Sequence, residues 1–188
     1  MAELEDEVVE EEAPDPEQEL RRRLALSQIR QYPDAALRLP AKPVEAFDES
    51  LRHLVERMKV LMHDANGVGL AATQVGIVKR LFVFRLEEGD DRAIVNPEIV
   101  EQSDESESGD EGCLSLQGVL VPVERSLSVV IAGQDEDGAE VRLELEGQPA
   151  RIVQHELDHL DGVLIVDRTT PEARREAMAI LRPRIVLG

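Results

Sequence analysis

The sequence predicts an α+β fold: mostly antiparallel β-sheets around a central helix that carries a His-Glu-x-x-His motif, with an amphipathic helix on its N-terminal side and a further helix at the C-terminus. Three observations predict it. A helical apolar period runs through residues 46–64, five short aliphatic runs separated by Gly, Asp and Glu turns fill the middle, and two more helical stretches close the chain. Helix, then strands, then helix is the order of an α+β domain, and 188 residues suffice for one sizeable core.

Residues 1–19 hold ten acidic side chains and no basic one, with Pro14 and Pro16 among them. High charge and little apolar content predict a disordered tail there, leaving 20–188 as a single domain. From Leu20 to Pro43 the text is mixed, with turn punctuation at Tyr32-Pro33-Asp34 and from Pro40 to Pro43, and no element is assigned. In 46–64, Leu51, Leu54, Val55, Met58, Leu61 and Met62 recur at helical spacing, Asp48 is placed to cap the N-terminus and Gly67 lies just past the end. His53 and His63 fall on or beside this helix without a companion at ligand spacing, and are read as surface or core-edge residues.

The stretch from Gly67 to Gly76 is small, uncharged and punctuated by glycine. Strands are expected at Leu81–Phe84, Ala93–Val95, Val119–Val121, Leu127–Ile131 and Val141–Leu145, and residues 101–112 (EQSDESESGDEG) as a solvated acidic loop between strands. Ile152, Val153, Leu157 and Leu160 keep helical spacing until Asp161-Gly162, and Pro171, a residue suited to a first helical turn, opens the last helix through about Leu181.

Composition narrows the function. The net charge is −19, and −9 without the acidic leader, which argues against sequence-independent nucleic-acid binding. Tyr32, Phe47, Phe82 and Phe84 are the only aromatic side chains apart from histidine, too few for stacking platforms. The sequence contains no apolar window of about 18 residues, so neither a membrane span nor a secretory leader is expected. Cys113 is the single cysteine, which excludes an intrachain disulfide and fits a reducing, cytoplasmic setting.

The sharpest local feature is His155-Glu156-Leu157-Asp158-His159. Two histidines four apart project from one helix face and can share a metal, with the glutamate beside the open coordination position. A catalytic site of this kind needs a third protein ligand. Residues 160–166 contain no third histidine, so the choice lies between a downstream carboxylate such as Glu172 and the thiol of Cys113. Cys113 with His155 and His159 would make a site of two nitrogens and one sulfur, leaving the fourth position to water.

Three segments in the same order, Gly67-Val68-Gly69-Leu70-Ala71-Ala72-Thr73-Gln74, Glu111-Gly112-Cys113-Leu114-Ser115 and Gln154-His155-Glu156-Leu157-Asp158-His159, resemble the three motifs of peptide deformylases. Tyr32 to Val44 resembles that family's N-terminal segment and Asn96-Pro97 its central strand connection, so the likeness spans roughly residues 28–183. The resemblance implies a metal-dependent hydrolase that removes the formyl group from the N-terminal formylmethionine of newly made polypeptides. It implies Cys113, His155 and His159 as metal ligands, with Fe2+ the usual ion in the cell and Zn2+, Ni2+ or Co2+ able to replace it. A divalent ion lowers the pKa of its water so that hydroxide can attack the formyl carbon. Glu156 then serves as general base and acid. Also by resemblance, the Gln74 amide and the Leu114 N–H hold the developing oxyanion, while Val68 and Gly69 offer backbone to the substrate as an added strand.

Two features depart from the resemblance. Counted without gaps from Cys113 to the matching Val123-Glu124-Arg125, the position where many members carry a substrate-contacting arginine is Leu120. The acidic leader and the acidic 101–112 segment also exceed it. In some relatives a C-terminal helix docks on the ribosome, and Arg174, Arg175, Arg182 and Arg184 supply charge for that, although an exposed basic helix face is the simpler reading. Two further readings accompany the leading one: a small metalloprotease with a carboxylate as third ligand, and a metal-stabilised interaction module without enzyme activity.

Overall fold

The computed structural model describes residues 15–182. Five helices and seven strands follow in the order α1 (Pro16–Gln28), α2 (Glu49–Asp64), β1 (Gly69–Ala71), β2 (Leu81–Glu87), β3 (Asp90–Gln102), β4 (Ser106–Gly112), β5 (Leu120–Ser126), β6 (Ser128–Gln134), β7 (Glu140–Glu146), α3 (Gln148–Leu160), α4 (Ile165–Arg168) and α5 (Pro171–Leu181). Short 3-10 turns lie at Ala35–Arg38 and Ala72–Val75. A five-stranded sheet in the order β1-β2-β3-β6-β7 and a separate β4-β5 hairpin are antiparallel throughout. The fold is α+β. No helix among the described residues is long and apolar enough to cross a membrane.

Local chemistry accounts for the helix ends. The Asp48 carboxylate accepts from the Leu51 N–H at 3.0 Å and caps α2, whose Leu51, Val55, Met58, Leu61 and Met62 are buried. Thr170 caps α5 by accepting from Ala173 N–H at 3.2 Å, and Pro171 fills the first turn. The α3 helix ends where Gly162 takes φ +73°, a left-handed conformation that glycine adopts without a Cβ clash. In the core, α2 packs with β1 and β2, while Phe82, Phe84 and Ile94 meet Ile152, Val153 and Leu160 of α3.

Two expectations are corrected. The tail expected over 1–19 is too long at its C-terminal end, because α1 begins at Pro16; residues 1–14 lie outside the described part. Asp15 accepts from the Glu17 N–H at 3.1 Å, Pro16 suits the first turn, and Glu17 and Glu19 face the positive end of the helix dipole. Acidic composition here signals a helix start, and Ala25 and Ile29 anchor that helix in the core.

The acidic loop expected over 101–112 shrinks to the turn at 103–105, between the end of β3 and β4. Seven register pairs from Ser106↔Ser126 to Gly112↔Leu120 hold β4 against β5. The hairpin's apolar face comes mostly from Val121 and Val123 of β5, so β4 has no alternating pattern of its own to read. On α5, Arg174 pairs with Asp167 at 3.6 Å and Arg175 with Glu172 at 3.1 Å; Arg182 is exposed and Arg184 lies outside the described residues.

Candidate active site

The three ligand-type residues converge from two elements. His155 and His159, four apart on α3, stack edge to face with ring centroids 5.0 Å apart. Cys113 follows directly on β4, and its Sγ lies 3.3 Å from His159 Nε2. One donor atom from each of Cys113, His155 and His159 lies within 4.8 Å of the others. Glu172, the competing third ligand, sits exposed on α5 and pairs with Arg175 at 3.1 Å.

These residues fit a divalent ion. His155 Nδ1 meets the Glu111 carboxylate at 2.9 Å; with the proton on that nitrogen, Nε2 keeps its lone pair free for the cluster. Among the described residues, Glu156 Oε2 and His159 Nδ1 are buried side-chain atoms without a hydrogen-bond partner. Burial without partners costs free energy, and such a cost persists where the group has work to do. Burial pushes the Glu156 carboxyl up to about 7, with Glu111 adding to the shift and the charge of His155 opposing it.

Two donors stand beside the thiol. Gln74 is buried and fixed at both ends: its Oε1 accepts from Ala71 N–H at 2.9 Å, and its Nε2 donates to Ser115 Oγ at 3.1 Å and approaches Cys113 Sγ at 3.7 Å. The Leu114 N–H donates to no group among the described residues. The Leu114 carbonyl, in the next peptide unit, accepts from Gln31 Nε2 at 2.9 Å.

Val68 and Gly69 line one wall of a cavity of about 430 Å³ that also takes in Gln74, Cys113, His155 and Glu156. Strand β1 is the end strand of its sheet and pairs with β2 alone among the strands, so its outer edge at Gly69 faces no further strand. A Cβ at Gly69 would lie 2.8 Å from Glu156 Cδ and 2.9 Å from its Cγ. Only glycine lets β1 pass this close to the carboxylate.

Sequence reasoning assigned no role to Glu111, Arg125 or Asp158. Arg125 is buried and donates from Nε and Nη2 to both Glu111 oxygens, at 2.9 and 3.0 Å, and from Nη1 to Asp158 at 2.6 Å. Arg151 Nη1 adds a bond to Glu111 at 3.0 Å, and Arg168 Nη2 one to Asp158 at 2.7 Å. The Glu111 carboxyl is held at about 2: burial opposes the shift, and the bonds from His155 and Arg125 overcome it. The available signal was position, since Glu111 stands two residues before Cys113 and Asp158 directly before His159.

Residues 26–175 match the family described as polypeptide deformylase. The chain belongs to that family. It is 48% identical over 158 residues to a peptide deformylase of Thermotoga neapolitana, covering 84% of this chain and 93% of the relative. A second relative, the peptide deformylase of Acidothermus cellulolyticus, is 46% identical over 159 residues, covering 85% and 87%. Among solved structures, a peptide deformylase from Legionella pneumophila superimposes with TM-score 0.78 at 42% identity, covering 81% of this chain and 91% of that one. The protein is a deformylase-type enzyme, and its cluster of one cysteine and two histidines suits the metal dependence of that family.

For this deformylase, Gly69→Ala is expected to push the Glu156 carboxylate aside and lower turnover between about ten- and a hundredfold, the scale of a misplacement near 1 Å. Steady-state kinetics beside a far-ultraviolet circular dichroism spectrum checks it. Turnover within threefold of the parent, with an unchanged spectrum, would show that the carboxylate yields at no cost.

Proposed function

We propose that this deformylase removes the formyl group from the N-terminal formylmethionine of newly synthesised polypeptides in the cytoplasm, with Cys113, His155 and His159 holding Fe2+ and Zn2+, Ni2+ or Co2+ able to take its place. One observation carries the proposal: a thiol and two imidazoles converge beside a buried carboxylate oxygen, Glu156 Oε2, that has no hydrogen-bond partner among the described residues. Imidazole and thiolate donors suit several of these ions. When bound, the ion supplies Lewis-acid polarisation that lowers the pKa of water toward neutrality.

The chain's own residues do the rest. Glu156 Oε2 takes the proton of the attacking water and returns it to the peptide nitrogen as the C–N bond breaks, releasing formate and a free amino terminus. Gln74 Nε2 and the Leu114 N–H donate to the formyl oxygen as it gains negative charge, which stabilises the transition state by about 3 kcal/mol per donor. The fixed orientation of the Gln74 amide supports this role, because a donor already in place needs no reorganisation during the reaction. The outer edge of β1 at Gly69, with Val68 beside it on the cavity wall, takes the substrate main chain as an added strand, which suits an enzyme acting on many different polypeptides.

The test is release of formate from formyl-Met peptides by protein prepared without oxygen and supplied with iron, nickel or cobalt. Turnover that disappears with a chelator and returns with the ion is expected. No formate with any of the ions would overturn the proposal. The metalloprotease reading is the one favoured if the same protein instead cleaves unformylated peptides and retains its ion after Cys113→Ser.

A further inference from the structure

One wall of the cavity reaches beyond the family match. Arg22 and Leu26 of α1 both line it, and Arg22 lies upstream of the matched segment, which starts at residue 26. The two positions are four apart and so share one helix face. The helix is fixed there: Ala25 and Ile29 are buried in the same core cluster that Leu26 and Leu114 pack against.

Among the described residues the one ion pair of Arg22 is with Glu19, at 3.9 Å, the outer limit of such a pair, and its guanidinium makes no hydrogen bond. The other guanidinium on the cavity, that of Arg151, is held by Glu111, the Val123 carbonyl and the Glu107 carbonyl. Among the described residues Arg22 is therefore the cavity guanidinium that no hydrogen bond holds, in a chain whose net charge is −19. On the β4 side the exposed Asp110 gives the rim a carboxylate that forms no ion pair among the described residues.

We infer that Arg22 is a specificity-determining residue that receives an acidic side chain of the bound polypeptide beyond its formylmethionine. The inference rests on the deformylase reading above. A formylated amino terminus carries no charge, so Arg22 repels nothing at the start of the substrate. A peptide lying along the edge of β1 sends its side chains sideways toward the cavity rims. A guanidinium offers a planar set of donors matched to a carboxylate, and the long-range repulsion between an acidic protein and an acidic peptide is offset where that cation stands.

The test uses formyl-Met tripeptide amides carrying Asp, Asn or Lys at the second or third position; the amide removes the terminal carboxylate as a competing anion. At one of the two positions the parent enzyme is expected to favour Asp over Asn by roughly two- to fivefold in kcat/KM, the scale of a half-exposed ion pair. The preference falls as salt is added. Arg22→Ala abolishes it through KM, Arg22→Lys keeps it, Arg22→Glu turns it toward Lys, and Asp110→Asn strengthens it. Equal rates for Asp and Asn peptides in the parent, or a preference that survives Arg22→Ala, would overturn the inference. Should Arg22→Ala not fold, the salt dependence in the parent and Arg22→Glu decide it in the same way. Failure to release formate from the Asn peptides would instead sink the deformylase reading and this inference with it.

Discussion

Glu156→Ala is expected to lower formate release by about 10²- to 10⁴-fold, the contribution of a positioned general base and acid, while leaving the metal content unchanged. The side chain is not among the three that converge as ligands, so its loss does not open the cluster of Cys113, His155 and His159. Its Oε2 is buried without a partner, so no protein hydrogen bond is broken at that atom. Glu156→Gln separates the two roles of the group, because it keeps the shape and removes proton transfer. Both variants are expected to melt no lower than the parent, since a buried carboxyl pushed up to about 7 opposes folding once ionised. Formate assays, metal analysis and thermal melts on one preparation check all three statements. Turnover within tenfold of the parent in both variants would remove Glu156 from the chemistry.

Arg125→Met is expected to cost about 3 kcal/mol of stability, at the low end for breaking a buried ion pair, and to lower the melting temperature by roughly 6–12 °C for a chain of this size. Arg125 is buried and holds Glu111 and Asp158 together. The low end applies because each carboxylate keeps another guanidinium, Glu111 that of Arg151 and Asp158 that of Arg168. The exposed pair Arg21–Glu17 is the control: Arg21→Ala is expected to change stability by no more than about 0.5 kcal/mol. A weakened hold on Glu111 also loosens the orientation of His155, so metal affinity is expected to fall about 10- to 100-fold.

The same network sets a pH dependence. The Glu111 carboxyl lies near 2 in the folded protein against an ordinary 4.5, so its folded value is depressed. Its stabilising contribution is complete above about pH 4.5 and is lost as pH falls toward 2. Melting curves between pH 5 and pH 2.5 are expected to fall more steeply for the parent than for Glu111→Gln. Parallel curves would place the acid sensitivity in other groups.

How far the site could be read depended on how local each signal is. Asp48, Pro171 and Gly162 mark helix ends through backbone groups a few residues away, and they stand where the sequence places them. The spacing of His155 and His159 needs only the pitch of one helix. Strand β4 escaped because its order comes from bonds to β5 and its side chains are nearly all polar. The start of α1 escaped because charge content alone does not distinguish a solvated tail from the acidic first turn of a helix.

By itself the sequence determined which chemistry was available: one thiol, a helical pair of imidazoles with a glutamate between them, a glycine-rich stretch ending in Gln74, and an α+β order of elements. Residue type, cap chemistry and periodicity are local properties, legible without coordinates. Only the tertiary structure decided how Cys113 meets the two histidines, that Arg125 joins Glu111 to Asp158, and that Arg22 reaches the cavity wall. Those are meetings of residues from different elements, set by how α3, the β4–β5 hairpin and α1 pack, and no local pattern encodes where the chain returns to itself.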